Sequence, residues 1–194
     1  MYSCLVRRAQ RALICFGALV LAYAGAVAVY AGVYQRYQSW KFGEAITRIG
    51  AAPAAGTAEV IDPPEGALVG KLEIPRIGVS VMVLQGIESR TLIAGAGRLP
   101  GGPRPGAEGN VVIAAHRDTF FRNLEGIAPG DRILMTTLSG TYAYIVGATN
   151  IVDPEDAEVL LSGNSHELTL ITCYPFYFIG PAPKRFVVHA REVE

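Results

Sequence analysis

The sequence predicts an all-β domain, a sandwich or a barrel, carried behind one N-terminal membrane helix. Three observations carry this. From about residue 70 the chain breaks into short apolar runs, 69–74, 79–84, 110–115, 131–137, 142–151, 167–173 and 185–192, separated by Gly- and Pro-bearing turns. Seven or eight strands spaced in this way are the pattern of a β-sandwich or barrel. Helical patterns in the same region are short and few: 88–96, 121–126 and 154–161. Residues 12–34 carry no charged side chain, and at the helical rise they reach roughly 34 Å, enough to cross a hydrocarbon core.

Taken in order, residues 1–11 read as a short cytoplasmic tail with Arg7, Arg8 and Arg11 just before the span. Tyr30, Tyr34, Tyr37 and Trp40 cluster at the far end, as an interfacial aromatic belt does. Arg36, Lys41 and Arg48 follow, offset only by Glu44, so the charge asymmetry that places the N-terminus inside is small. A signal peptide cleaved near Ala24, Gly25 and Ala26 is the alternative. The apolar run exceeds the about 7–15 residues of a signal-peptide core, which favours a retained anchor. Either reading exports the remainder.

Residues 35–66 read as a juxtamembrane helix that fades after about Ile49 into an Ala-, Gly- and Pro-rich linker. Residues 67–194 form the β domain. Within it, the short helix at 154–161 has Asp153 as its candidate N-cap and Pro154 at its first position. Gly95-Ala-Gly97 and Gly101-Gly102 lack the spacing of phosphate-binding loops and read as flexible turns. Along 167–173, Leu168, Leu170 and Thr172 point to one face and Thr169, Ile171 and Cys173 to the other. Tyr174-Pro175 ends the strand, since proline donates no ladder hydrogen bond.

With 194 residues, 51% of them hydrophobic, the length suits one compact domain plus an appendage. Seventeen acidic and seventeen basic side chains balance to zero, which gives no electrostatic case for a nucleic-acid partner. No Cys-x-x-Cys, His-Glu-x-x-His or calcium loop is present, and no GxSxG elbow, so no metal or other cofactor is expected. There are three cysteines, Cys4, Cys15 and Cys173. Only the last lies in the exported domain, where it has no disulfide partner.

Taken locally, Cys173 is better explained as a small buried hydrophobe. A lone thiol in an exported domain shifts the balance towards function. A nucleophilic cysteine needs a base or an electropositive neighbour, and there are three histidines. His116 follows an apolar strand and heads the polar cluster His116-Arg117-Asp118. His166 lies in a turn, and His189 on the outward face of 185–192. His116 is therefore the partner of choice, with a purely structural role as its rival. Arg185 opens the last strand and can lie beside Cys173 if the strands flanking 174–184 pair. There it would steady charge on a carbonyl oxygen; an ordinary solvated strand start explains it equally well.

Together, Thr169-Leu-Ile-Thr-Cys173, His116 in its Ala-His-Arg-Asp-Thr setting and Arg185 twelve residues after the cysteine resemble the sortases, membrane-anchored cysteine transpeptidases. The strings His116-Arg-Asp-Thr119, Cys173-Tyr-Pro-Phe176 and Ala182-Pro-Lys-Arg-Phe186 look most like class D. The resemblance implies a closed eight-stranded β-barrel, with Cys173 as nucleophile, His116 as general acid and base, and Arg185 holding substrate and oxyanion. It implies as partners an LPxT-type sorting-signal peptide of secreted proteins and an amine nucleophile, typically from the cell wall, with attachment to the cell surface as the outcome. It further implies substrate binding around Ala115, Thr172 and Tyr174, and by Val159 and Leu160 in the segment 151–166. Two other readings stand against transpeptidation: a peptidase with water as acceptor, and a membrane-tethered barrel that binds peptide without chemistry.

Overall fold

Eight strands close into one barrel because seven of them offer an inward row of apolar side chains and the short β3 completes the ring, so that among the described residues each strand has a neighbour on both sides. A computed structural model describes residues 2–49, 62–156 and 165–193. The strands are β1 (Leu68–Ile74), β2 (Val79–Gln85), β3 (Ala96–Arg98), β4 (Gly109–Ala114), β5 (Arg132–Thr137), β6 (Gly140–Val152), β7 (His166–Tyr174) and β8 (Lys184–Val193). Around the barrel they run β1-β2-β3-β4-β7-β8-β6-β5. The β2/β3 and β4/β7 pairs are parallel and the other six antiparallel.

The core is the inward row. Leu72, Ile74, Val83, Ile113, Leu168 and Leu170 are almost wholly buried, each contributing about 1.5–3 kcal/mol relative to an exposed position. Phe121 and Leu124, in and beside the 3-10 turn Arg122–Gly126, are also fully buried and belong to the same core. Closure removes the open sheet edges that would otherwise invite pairing between chains.

β3 departs from expectation. The stretch around Gly95 and Gly97 was expected to be a flexible turn, and it is a three-residue strand between β2 and β4. Its small residues carry no readable periodicity, but they permit close approach: a Cβ on Gly97 would stand 2.1 Å from the Gly86 carbonyl oxygen. The strand ends in Arg98, whose side chain is buried. It donates to Gln85 Oε1 at 2.9 Å, Gly102 O at 2.7 Å and Pro103 O at 3.0 Å, and it forms an ion pair with Asp62.

Helices are few. α1 (Tyr2–Ile49) is continuous through the apolar run and well beyond it. α2 (Ser89–Ala94) is a shorter version of the helix expected at 88–96. Of the helix expected at 154–161, the described residues end at Asp156, whose N–H reaches Asp153 O at 3.2 Å. Val159 and Leu160 lie outside the described residues.

Candidate active site

β4, β7 and β8 are consecutive in the barrel, and the three residues singled out in the sequence stand at one end of them. In the parallel β4/β7 pair, Ala114 faces Ile171. Ala115 N–H continues the ladder to Ile171 O at 3.2 Å, and Thr172 Oγ1 donates to Ala115 O at 2.8 Å. These bonds fix the exit of β4 against β7, so the next residue, the half-buried His116, emerges level with the last turn of β7. Its carbonyl accepts the Phe121 N–H at 3.0 Å.

On the other side of β7, Cys173 and Arg185 are direct partners in the antiparallel ladder. Opposed residues project to the same face with Cβ atoms about 4.5–5.5 Å apart. That face is the outer one, because alternation sends Leu168, Leu170 and Thr172 inward. Cys173 is a free, partly exposed thiol. The Arg185 guanidinium lies near the start of its own strand, Nη1 donating to Lys184 O at 3.0 Å and Ala182 O at 3.3 Å.

Thr172 and Tyr174 take the inner face. Thr172 is buried, as is Ala115 in the core. Tyr174 joins an aromatic cluster with Phe176 and Phe186 at centroid separations of 5.9 and 6.4 Å. These three residues support the outer face from beneath. The Tyr174-Pro175 peptide bond is cis.

Beyond Cys173 the outer face continues through Ile171 and the buried Val187 to Thr169, which donates to Asn110 Oδ1 at 2.9 Å and lies 3.4 Å from His189 Nδ1. His189 is thus tied into the outer surface, four residues along β8 from Arg185. His166 begins β7 at the opposite barrel end, 3.4 Å from Glu192 Oε2.

Arg117 received no role from the sequence beyond its place in a polar cluster. Here it clamps the 175–183 connection between Cys173 and Arg185. Nη1 donates to Pro175 O at 3.1 Å, and Nη2 to Phe178 O at 2.7 Å and Gly180 O at 3.1 Å. Its guanidinium also lies 5.9 Å from the Phe178 ring centroid, and Arg122 sits 4.4 Å over Tyr177. The only sequence signal was an arginine directly after His116.

Known proteins agree with this architecture. A family model described as the sortase domain matches residues 72–193. Sortase D of Bacillus subtilis is 34% identical over 132 residues, covering 68% of this chain and 67% of that protein. Sortase A of Listeria monocytogenes is 32% identical over 111 residues, and the match spans 55% of this chain and 50% of the relative. Among solved structures, a Clostridium perfringens sortase D5 transpeptidase shares the fold, with a TM-score of 0.66 at 24% identity, over 86% of this chain and 99% of that one. The Listeria monocytogenes sortase A structure aligns with a TM-score of 0.61 at 28% identity, over 66% of this chain and 88% of that one. Barrel and likenesses together define a cysteine transpeptidase. The chain belongs to the sortase family and is most like its class D members.

Proposed function

We propose that this sortase cleaves an LPxT-type sorting signal and joins the released acyl group to an amine, so anchoring secreted proteins at the cell surface. The observation that carries the reading is the meeting of His116, Cys173 and Arg185 at one end of β4, β7 and β8, with Cys173 opposite Arg185. Cys173 attacks the threonine carbonyl, and the tetrahedral oxyanion is held by Arg185. The peptide C–N bond then breaks as His116 passes its proton to the departing amine, leaving a thioester on Cys173. An incoming amine attacks the thioester and gives a proton to His116. Collapse expels the thiolate and completes a new amide. Ala115, Thr172 and Tyr174 serve this site from the inner face by fixing the backbone. Val159 and Leu160 are assigned to the signal-binding segment.

The chain divides accordingly. Residues 1–11 are cytoplasmic, 12–34 span the membrane, 35–66 lead outward, and 67–194 are the extracytoplasmic catalytic domain. α1 supports this: from Val6 to Glu44 it is long and apolar enough to cross a bilayer.

Intact-mass spectrometry of the detergent-solubilised chain mixed with a small LPxT peptide library tests the chemistry. An acyl adduct on Cys173, absent in Cys173→Ala, is expected, and added amine should convert it to ligated peptide. A folded protein that forms no adduct with any peptide overturns the reading. Hydrolysed peptide with no ligated product in the presence of amines would favour the water-using peptidase.

A further inference from the structure

β3 is too short to hold itself in place by its ladder alone. It has three residues, and only Gly97 and Arg98 pair with β4. Its outgoing end is secured by the buried Arg98 and the acceptors around it. Its incoming end is the junction with α2, where the ladder between β2 and β3 stops at Val83 and Ala96. Continued by two residues, the register between β3 and β4 brings Gly95 level with His116. The junction therefore lies one strand away from the proposed base.

The supports of this junction come from the segments that precede the barrel. α1 runs on past its apolar stretch, and the half-buried Ala31, Tyr34, Gln35 and Gln38 and the buried Phe42 recur at the spacing of one helix face. From that face Gln35 Nε2 donates to Ala94 O at 2.5 Å, and Gln35 Oε1 accepts the Met82 N–H at 2.8 Å. A primary amide carries the donor and the acceptor of a peptide group. Gln35 thus adds one more rung where the two strands part. Gly95 permits the approach: a Cβ there would stand 2.6 Å from Met82 O and 2.8 Å from Gln35 Nε2. The first turn of α2 is held from the linker, where Glu65 Oε1 accepts the Thr91 hydroxyl at 2.6 Å and the Glu88 N–H at 3.3 Å.

We propose that Gln35 is a positioning residue of the active site. Through Ala94 and Met82 it sets the start of β3, and β3 sets the side of β4 from which His116 emerges. On its other side that exit is fixed by the bonds of Ala115 to Ile171 and Thr172. On the β3 side the ladder ends at Gly97 and Ala114, so the junction with α2 supplies what the ladder does not. Gln35 touches no reacting atom and acts through β3. The juxtamembrane part of α1 belongs in this way to the catalytic unit. The inference rests on the proposed role of His116 as acid and base.

Steady-state ligation of an LPxT peptide to an amine, with the full chain in detergent, tests it. Gln35→Leu keeps the length of the side chain and removes both hydrogen bonds, and Gly95→Ala disturbs the same junction from the barrel side. Both are expected to lower kcat about tenfold, as a small displacement of an acid–base group does, with KM for the peptide within about twofold of the parent. Gln35→Glu keeps the acceptor for Met82 and loses the donor to Ala94, so its kcat should fall between; it also carries the test if Gln35→Leu does not fold. Amide hydrogen exchange at Met82 should be faster in Gln35→Leu than in the parent. Faster exchange with an unchanged kcat overturns the positioning role and leaves the contact as packing, whether or not the thermal midpoint falls. Unchanged exchange at Met82 overturns the contact itself. A parent that forms no thioester and ligates nothing removes the proposed function and this inference together, whereas an active parent matched by its variants removes the inference alone.

Discussion

In the proposed reaction Arg185 would act on a substrate held by Cys173, because the ladder sets the two opposite each other on the outer face of β7 and β8. What it supplies there is a planar fork of donors, which a lysine ammonium lacks. Arg185→Lys is therefore expected to lower kcat/KM by about 10²-fold or more, or at least about 2.7 kcal/mol, the loss typical of an oxyanion donor. Steady-state ligation kinetics measure this, and a change below threefold would remove Arg185 from the chemistry. Thr172 tests the opposite face. Its hydroxyl serves the buried Ala115 carbonyl, and Thr172→Val keeps the shape while leaving that oxygen without this partner. Urea or thermal unfolding should show a loss of about 1–3 kcal/mol. Activity should fall as well, because the same bond holds the residue before His116.

The element that joins the site together is the 175–183 connection, which carries the chain from Cys173 to Arg185. Arg117 reaches it through three carbonyls and the Phe178 ring, beside the contacts of Arg122 with Tyr177 and of Arg185 with the Ala182 carbonyl. Arg117→Ala is expected to raise amide hydrogen exchange across 176–183 and lower ligation by about tenfold, with β7 and β8 amides remaining protected. Unchanged exchange in the connection would show that the clamp is redundant. This part of the site was illegible in the sequence. Cys173 and Arg185 were readable because their settings resemble those of the sortases, local residues alone leaving Arg185 open, whereas Arg117 acts through backbone oxygens that carry no side-chain signature. The sortase resemblance implied substrate binding at Thr172 and Tyr174, and alternation assigns their side chains to the inner face.

At the scale of the whole molecule, the seven apolar runs were legible because burial on one face imposes period two. β3 was not, since three small residues between tight turns generate no period and are specified only by what they fit against. The same region holds the contact that fastens the linker to the barrel. Asp62 accepts the Gly101 N–H at 2.6 Å and pairs with the buried Arg98. The Gly101 N–H, aided by Arg98, holds the Asp62 carboxyl below its ordinary range against the opposing effect of burial. Asp131 is likewise held low, first by its hydrogen bond from Arg76, then by the Ala128 N–H. A carboxyl whose folded pKa is depressed adds stability above its unfolded value, about 3.9, and loses it as pH falls through the lower folded value. Asp62→Asn is therefore expected to be less stable than the parent by about 1.5–3 kcal/mol near pH 7. That gap should begin to narrow below about pH 4, where the carboxyl of the unfolded parent takes up protons, and close only as pH falls through the lower folded value. Thermal melts of both proteins between pH 3 and 7 measure it. A gap that stays constant over this range would show that the Asp62 charge contributes nothing and that only the shape of its side chain holds the linker to the barrel.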